Sequence, residues 1–212
     1  MPVGRSPTFS HPDWLFEIKW DGFRSLAYLE HGHCRLIPRN GNEFKSFPAL
    51  NLALPLECGA QDAVLDGEIV CLDKTGTSQF TSLLFRRGEP RYYAFDLLFS
   101  NREDLRYLPL AERKHRLHGL VPSSGERLLY CDHVEGIGEE LFHLVCQCDL
   151  EGVVAKRQFD PYLASASWLK IRNRNYSQWV GRKELFERER HQEPVPGWHS
   201  CALACAGLQT II

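Results

Sequence analysis

A lysine closes the apolar stretch Leu15-Phe16-Glu17-Ile18-Lys19 and is followed at once by Trp20-Asp21-Gly22. An amine placed at the end of a strand and beside a turn stands at the mouth of a sheet, where it can act as a nucleophile once it sheds its proton. Alone, the pattern describes a solvated lysine before a β-turn equally well. Its companions are Arg39-Asn40-Gly41, Leu65-Asp66-Gly67-Glu68, Ala94-Phe95-Asp96, Glu151-Gly152-Val153-Val154-Ala155-Lys156 and Trp168-Leu169-Lys170-Ile171-Arg172. Each puts charge inside or beside an apolar strand run. Charged side chains are seldom buried without partners, so repeated intrusions of this kind point to convergence on one site. Cations together with carboxylates suit a polyphosphate and a divalent metal. The cations neutralise phosphate charge and favour the free amine of a lysine, and two carboxylates give Mg²⁺ hard oxygen ligands while leaving its other positions to water and phosphate. No Gly-rich phosphate cradle of the P-loop kind is present.

In this order the segments resemble the motifs of the covalent nucleotidyltransferases, which comprise ATP-dependent DNA ligases, RNA ligases and mRNA-capping enzymes. The phrase HPDWLFEIKWDGFR is most similar to the adenylation domain of bacterial ATP-dependent DNA ligases of the end-joining type, and the resemblance runs over residues 10–175. It implies an α+β, ATP-grasp-like nucleotidyltransferase fold of antiparallel sheets flanked by helices. It also implies strand joining in DNA repair through a lysyl-AMP intermediate, with ATP and Mg²⁺ (or Mn²⁺) as cofactors and nicked or broken DNA as partner. Lys19 resembles the nucleophile that attacks the α-phosphorus. Glu17 resembles the residue that contacts adenine, and Phe95 the aromatic that stacks on the base. Arg24 and Arg39 resemble ribose and phosphate contacts, and Glu68 the ribose-binding, metal-side carboxylate. Glu151 resembles the metal-associated carboxylate, and Lys156 and Lys170 resemble α-phosphate contacts. The family's last motif carries a second lysine where this chain has Arg172, a different phosphate-binding geometry. An RNA ligase or capping-type enzyme, or a non-sealing module that binds ATP or DNA, are the alternative readings.

The elements that must position these residues read as strands for the most part. Residues 14–39 suggest an antiparallel meander with turns at Asp21-Gly22 and Glu30-His31-Gly32. A short helix is the most that 47–56 can form. A second β block covers AVLDGEIVCLD and RYYAFDLLF, Pro109 opens a helix through Leu120, LLYCDHV reads as a strand, and 137–148 has helical spacing. GVVAKR and WLKIR are further strands. The expected organisation is an N-terminal arm over 1–13, an adenylation domain over 14–175, and a C-terminal helical tail over 176–212 that is too short for an OB-fold barrel. Such a chain is expected to borrow an OB-fold or DNA-repair protein in trans.

With 212 residues, 43% of them hydrophobic, the chain can bury a core without staples. No apolar run is long enough to span a membrane and the N-terminus has no signal-type apolar segment, so a cytoplasmic location is expected. The eight cysteines form no CxxC pair, and Cys146-x-Cys148 and Cys201-x₃-Cys205 lack a partner pair at zinc spacing, so buried reduced thiols are expected. A net charge of −2 excludes wholesale polyanion binding. Between Glu151 and Lys183, however, Lys and Arg outnumber Asp and Glu seven to two, a local surface suited to a phosphate backbone.

Overall fold

Strands dominate the chain, in the order β1 (Val3–Arg5), β2 (Trp14–Ile18), β3 (Phe23–Glu30), β4 (His33–Pro38), α1 (Pro48–Glu57), β5 (Ala63–Cys71), α2 (Phe80–Leu84), β6 (Pro90–Ser100), β7 (Glu103–Asp104), α3 (Leu110–Leu120), β8 (Leu128–Tyr130), β9 (His133–Glu135), α4 (Gly138–Gln147), β10 (Gly152–Arg157) and β11 (Trp168–Arg172). These are the elements of a computed structural model that describes residues 3–163, 166 and 168–179. The tail expected to be helical lies outside the described residues from 180 onward, as do Cys201 and Cys205.

The strands form two sheets. One runs β4-β3-β5-β6-β7, with β8 also pairing β6, and the other runs β1-β11-β10-β2-β9. Pairing is antiparallel apart from β1 beside β11 and β8 beside β6, so the chain has the α+β class of antiparallel sheets flanked by helices that its sequence predicts. Each sheet buries one face under helices. Leu29, Leu36, Leu65 and Leu97 of the first sheet pack with Leu50 and Leu54 of α1 and Leu117 of α3. Phe16, Val153, Ala155 and Ile171 of the second sheet pack with Val145 of α4. Because side chains alternate along a strand, the neighbours of this second set, among them Glu17, Lys156, Lys170 and Arg172, fall on the opposite face.

Three local expectations change. The meander over 14–39 is real only for β3 and β4. Strand β2 belongs to the other sheet, so Lys19–Gly22 is a crossover between sheets and not a hairpin turn. Gly22 is there because β3 starts hard against β5: a Cβ at this position would lie 2.0 Å from the Ile69 carbonyl oxygen. The strand read as 128–134 is two, β8 in the first sheet and β9 in the second, with the chain changing sheets at Cys131-Asp132. Within the stretch read as an arm, Val3, Gly4 and Arg5 pair with Trp168, Leu169 and Lys170. Of the described cysteines, Cys34, Cys58, Cys71 and Cys131 are buried as expected, whereas Cys146 and Cys148 on and after α4 are exposed. Among the described residues no helix is long and apolar enough to cross a membrane.

Candidate functional site

Register across the second sheet assembles one wall of the site. Glu17 on β2 pairs with Val154 on β10, and Val154 pairs with Lys170 on β11, so the three stand in one row. The next row places Leu15, Lys156 and Trp168 side by side. The first sheet supplies the facing wall, where Arg24 on β3, Glu68 on β5 and Tyr93 on β6 share a row beside Asp66 and Asp96. Charged and aromatic groups meet between the walls: the Lys156 ammonium lies 4.3 Å from the centroid of Phe95 and the Arg24 guanidinium 4.9 Å from that of Trp168. Within each wall, Lys156 lies 4.0 Å from the Trp168 centroid and Arg24 5.5 Å from that of Phe95. These are cation–π distances.

At the mouth, the Lys19 N–H donates to the Gly152 carbonyl at 2.9 Å, which carries the β2–β10 ladder one residue beyond β2. The Lys19 ammonium donates to the carboxylate of Glu151, which is itself buried. Gly152 makes this approach possible: its φ is +152°, and a Cβ there would meet the Ile171 carbonyl oxygen at 2.2 Å. The Asn173 N–H donates to the Glu151 carbonyl at 3.0 Å and locks the carboxylate's backbone to the end of β11. Burial together with the positive charge of Lys19 and Arg172 lowers the proton affinity of Lys170, so this cluster favours an anion in its midst. Across the mouth, burial pushes the Glu68 carboxyl up to about 8. The neighbouring carboxylates of Glu151 and Asp66 add to this, against the opposing pull of Lys19 and Arg24. Like-charged carboxylates that raise one another's proton affinity are also where a divalent cation can replace the proton. Glu68 and Glu151 are therefore the pair that could hold Mg²⁺. No group of three or more His, Cys, Asp or Glu side chains is arranged for a metal among the described residues, so such an ion would complete its shell with phosphate and water, as Mg²⁺ commonly does.

Deeper in, Glu17 is 2% exposed and is shared by two lysines. Lys114 of α3 reaches its Oε1 at 2.6 Å and Lys156 its Oε2 at 2.6 Å. Burial opposes the charge on Glu17, but the two ammonium groups outweigh it and hold the carboxyl below its ordinary range. Lys114 also donates to the carbonyl of Cys131 at 3.0 Å and is held firmly protonated by Glu17, whereas burial lowers the proton affinity of Lys156. Beside this triad, Arg113 of α3 donates to both oxygens of the fully buried Asp96, at 2.7 and 2.9 Å.

The structure thus brings together Lys19, Glu151, Lys170, Arg172, Arg24 and Glu68 at the mouth, and Glu17, Lys156 and Phe95 behind them. Lys156, grouped by resemblance with the α-phosphate contacts, has its ammonium on Glu17 and against two rings. Arg39, just beyond β4, is exposed and makes none of the contacts described above. Sequence reasoning missed Arg113, Lys114, Asp66 and Tyr162 as site residues. A signal existed for the first two: with Leu110 and Leu117 both buried on α3, positions 113 and 114 fall on the same helical face. Cations there demand buried carboxylates opposite. Tyr162 has no such signal, because it sits in an aperiodic segment after β10.

The family model of the ATP dependent DNA ligase domain matches residues 7–172. The chain is 36% identical over 169 residues to the multifunctional non-homologous end joining protein LigD of Pseudomonas aeruginosa, a match that covers 76% of this chain and 20% of that protein. It is 28% identical to the SPbeta prophage-derived DNA ligase-like protein LigB of Bacillus subtilis, over 80% of this chain and 65% of that one. The solved structure of mycobacterial DNA ligase D complexed with ATP and MES superposes with a TM-score of 0.70 at 29% identity, covering 81% of this chain and 60% of that chain. The chain spans about a fifth of the length of the multifunctional end-joining relatives from Pseudomonas aeruginosa and Mycolicibacterium smegmatis.

Proposed function

Because the chain belongs to the ATP-dependent DNA ligase domain family, we propose that it is the adenylation domain of an ATP-dependent DNA ligase that joins DNA strands in end-joining repair. The observation that carries this reading is the Lys19 amine, held by Glu151 beside Lys170 and Arg172 at the mouth of a cleft whose facing wall presents Arg24 and Glu68. Lys19 Nζ attacks the α-phosphorus of ATP. A nitrogen–phosphorus bond forms, the bond from the α-phosphorus to the bridging oxygen breaks, and pyrophosphate leaves. Lys19 must shed a proton before it attacks, and Glu151 is the acceptor in contact with its Nζ. Lys170, Arg172 and Arg24 orient and neutralise the phosphates, the positioning and electrostatic work on which nucleotidyl transfer mainly depends. A magnesium ion between Glu68 and Glu151 would supply further neutralisation of phosphate charge. Phe95, backed by the buried Glu17–Lys156 pair, forms the wall against which the base packs. The lysyl-AMP then passes its adenylyl group to a DNA 5′-phosphate, which primes that end for attack by a 3′-hydroxyl. The end-joining names of the LigD relatives support broken DNA as the acceptor.

A pulse-chase experiment tests this. Protein incubated with Mg²⁺ and ATP labelled at the α-phosphorus should carry acid-labile label, and a chase with nicked or broken DNA bearing 5′-phosphates should move that label to the DNA ends. Label acquired from GTP instead of ATP would favour the capping-type reading, and label that moves only to RNA ends would favour an RNA ligase. No label on the protein defeats all the enzymatic readings together.

A further inference from the structure

Asp66 sits at the middle of β5 with no exposed surface, and its register partner on β6 is a second buried carboxylate, Asp96. Two ionised carboxylates side by side in a sheet interior are costly unless each is fully hydrogen-bonded. Asp96 is answered by Arg113. Asp66 is answered by Arg24, whose Nε donates to Oδ1 at 3.0 Å and Nη2 to Oδ2 at 2.6 Å. A further donor comes from outside the first sheet. Tyr162, in the segment that follows β10, donates its hydroxyl to Asp66 Oδ2 at 2.8 Å.

The Tyr162 hydroxyl therefore shares one carboxylate oxygen with the Arg24 guanidinium. Tyr162 is itself anchored. Its backbone N–H donates to the Arg106 carbonyl at 2.7 Å, its ring meets the edge of Trp168 at 6.0 Å, and the Arg113 guanidinium lies 5.8 Å from the ring centroid. Arg24 is bounded by Asp66 along one edge and lies over the rings of Trp168 and Phe95. Its side chain keeps 34% of its surface exposed, and two of its five N–H donors are committed to Asp66. The remaining donors are the ones that can meet an anionic group of a ligand.

We infer that Tyr162 is a positioning residue for Arg24: by fixing the Asp66 carboxylate from the segment between β10 and β11, its hydroxyl sets where the free donors of Arg24 point. The function of that aim, contact with the bound nucleotide or its phosphates, rests on the ligase reading above. The geometric part does not.

Tyr162→Phe tests it, because the ring and its packing stay and only the O–H is lost. The Nε–H resonance of Arg24, assigned by its loss in Arg24→Lys, is followed by ¹⁵N-edited NMR together with the backbone amides. Positioning predicts that Nε–H exchange with solvent quickens by about tenfold in Tyr162→Phe while amide shifts beyond the site stay put. An unchanged Arg24 exchange rate overturns the inference whether or not the protein is active, and shifts spread through both sheets would mark a merely structural role and overturn it equally. In the second arm, lysyl-AMP formation is compared in Tyr162→Phe, Arg24→Ala and the double variant. The single tyrosine change should slow adenylation by about three- to tenfold, and the double variant should be no slower than Arg24→Ala alone, since residues that act through one another are non-additive. Independent, multiplying effects would sink the positional role. A wild-type protein that takes no label would refute the ligase reading and leave the NMR comparison of Arg24 unaffected.

Discussion

Glu17 gives each of its two oxygens to a different buried lysine amine, Lys114 and Lys156. Removing the carboxylate leaves two buried lysine amines without their shared partner, and the loss of one partner of a buried ionic group costs about 3–5 kcal/mol. Glu17→Gln should lower stability by that order in urea unfolding; a change within error of zero would show that the triad is not buried as described. The sign of the pH dependence follows from the same contacts. The Glu17 carboxyl in the folded protein is held below its ordinary value of 4.5, so its contribution is present above that pH and is lost as the pH falls through the folded value. Wild-type stability should therefore fall on acidification below about 4.5, and Glu17→Gln should flatten that part of the profile. A variant profile that falls as steeply as the wild type would contradict it. At this scale the sequence was most informative where a charge interrupts an apolar strand, as at Lys19, Glu68, Glu151 and Lys170. It was least informative where the partner comes from a distant element, as with Lys114 or Tyr162, because a residue's type does not reveal which far segment it will face.

Elements show the same division between local and non-local information. The β3–β4 hairpin, α3 after Pro109, α4 and the strands β10 and β11 were legible, since each rests on periodicity and punctuation within a few residues. The assignment of β2 to the other sheet was not, because strand periodicity says which face is buried but not which neighbour is paired. The parallel pairing of β1 with β11 joins opposite ends of the described chain and leaves no local trace in three residues. Gly22 shows what the crossover requires. With the Ile69 carbonyl oxygen 2.0 Å from where a Cβ would lie, Gly22→Ala must push β3 away from β5 at the point where Lys19 and Asp21 are set. Forcing extra volume into a packed site costs about 1–3 kcal/mol. Urea unfolding should show a lower midpoint with an unchanged slope, and an unaltered midpoint would mean that the crossover is looser than the contact implies.

In the whole molecule, two sheets each bury an apolar face under their own helices and turn their charged faces toward each other. That division explains why a chain of ordinary composition and nearly balanced charge can concentrate so many ionisable groups in one cleft. The apolar cores carry the fold, and the cleft holds charges paired largely within each wall, as Arg24 with Asp66 and Lys156 with Glu17, while α3 supplies Arg113 and Lys114. The α+β class could be read from the strand-rich text, and a candidate site from its ordered motifs, but the partners that α3 and Tyr162 bring to Glu17, Asp96 and Asp66 could not. Everything proposed for the molecule turns on whether this cleft makes Lys19 a covalent acceptor of AMP. Peptide mass mapping after incubation with ATP and Mg²⁺ tests that most directly. One adenylyl group is expected on the peptide that contains Lys19, absent from Lys19→Ala and removed by pyrophosphate. An unmodified Lys19, or an adenylyl group that persists elsewhere on the Lys19→Ala chain, would contradict it.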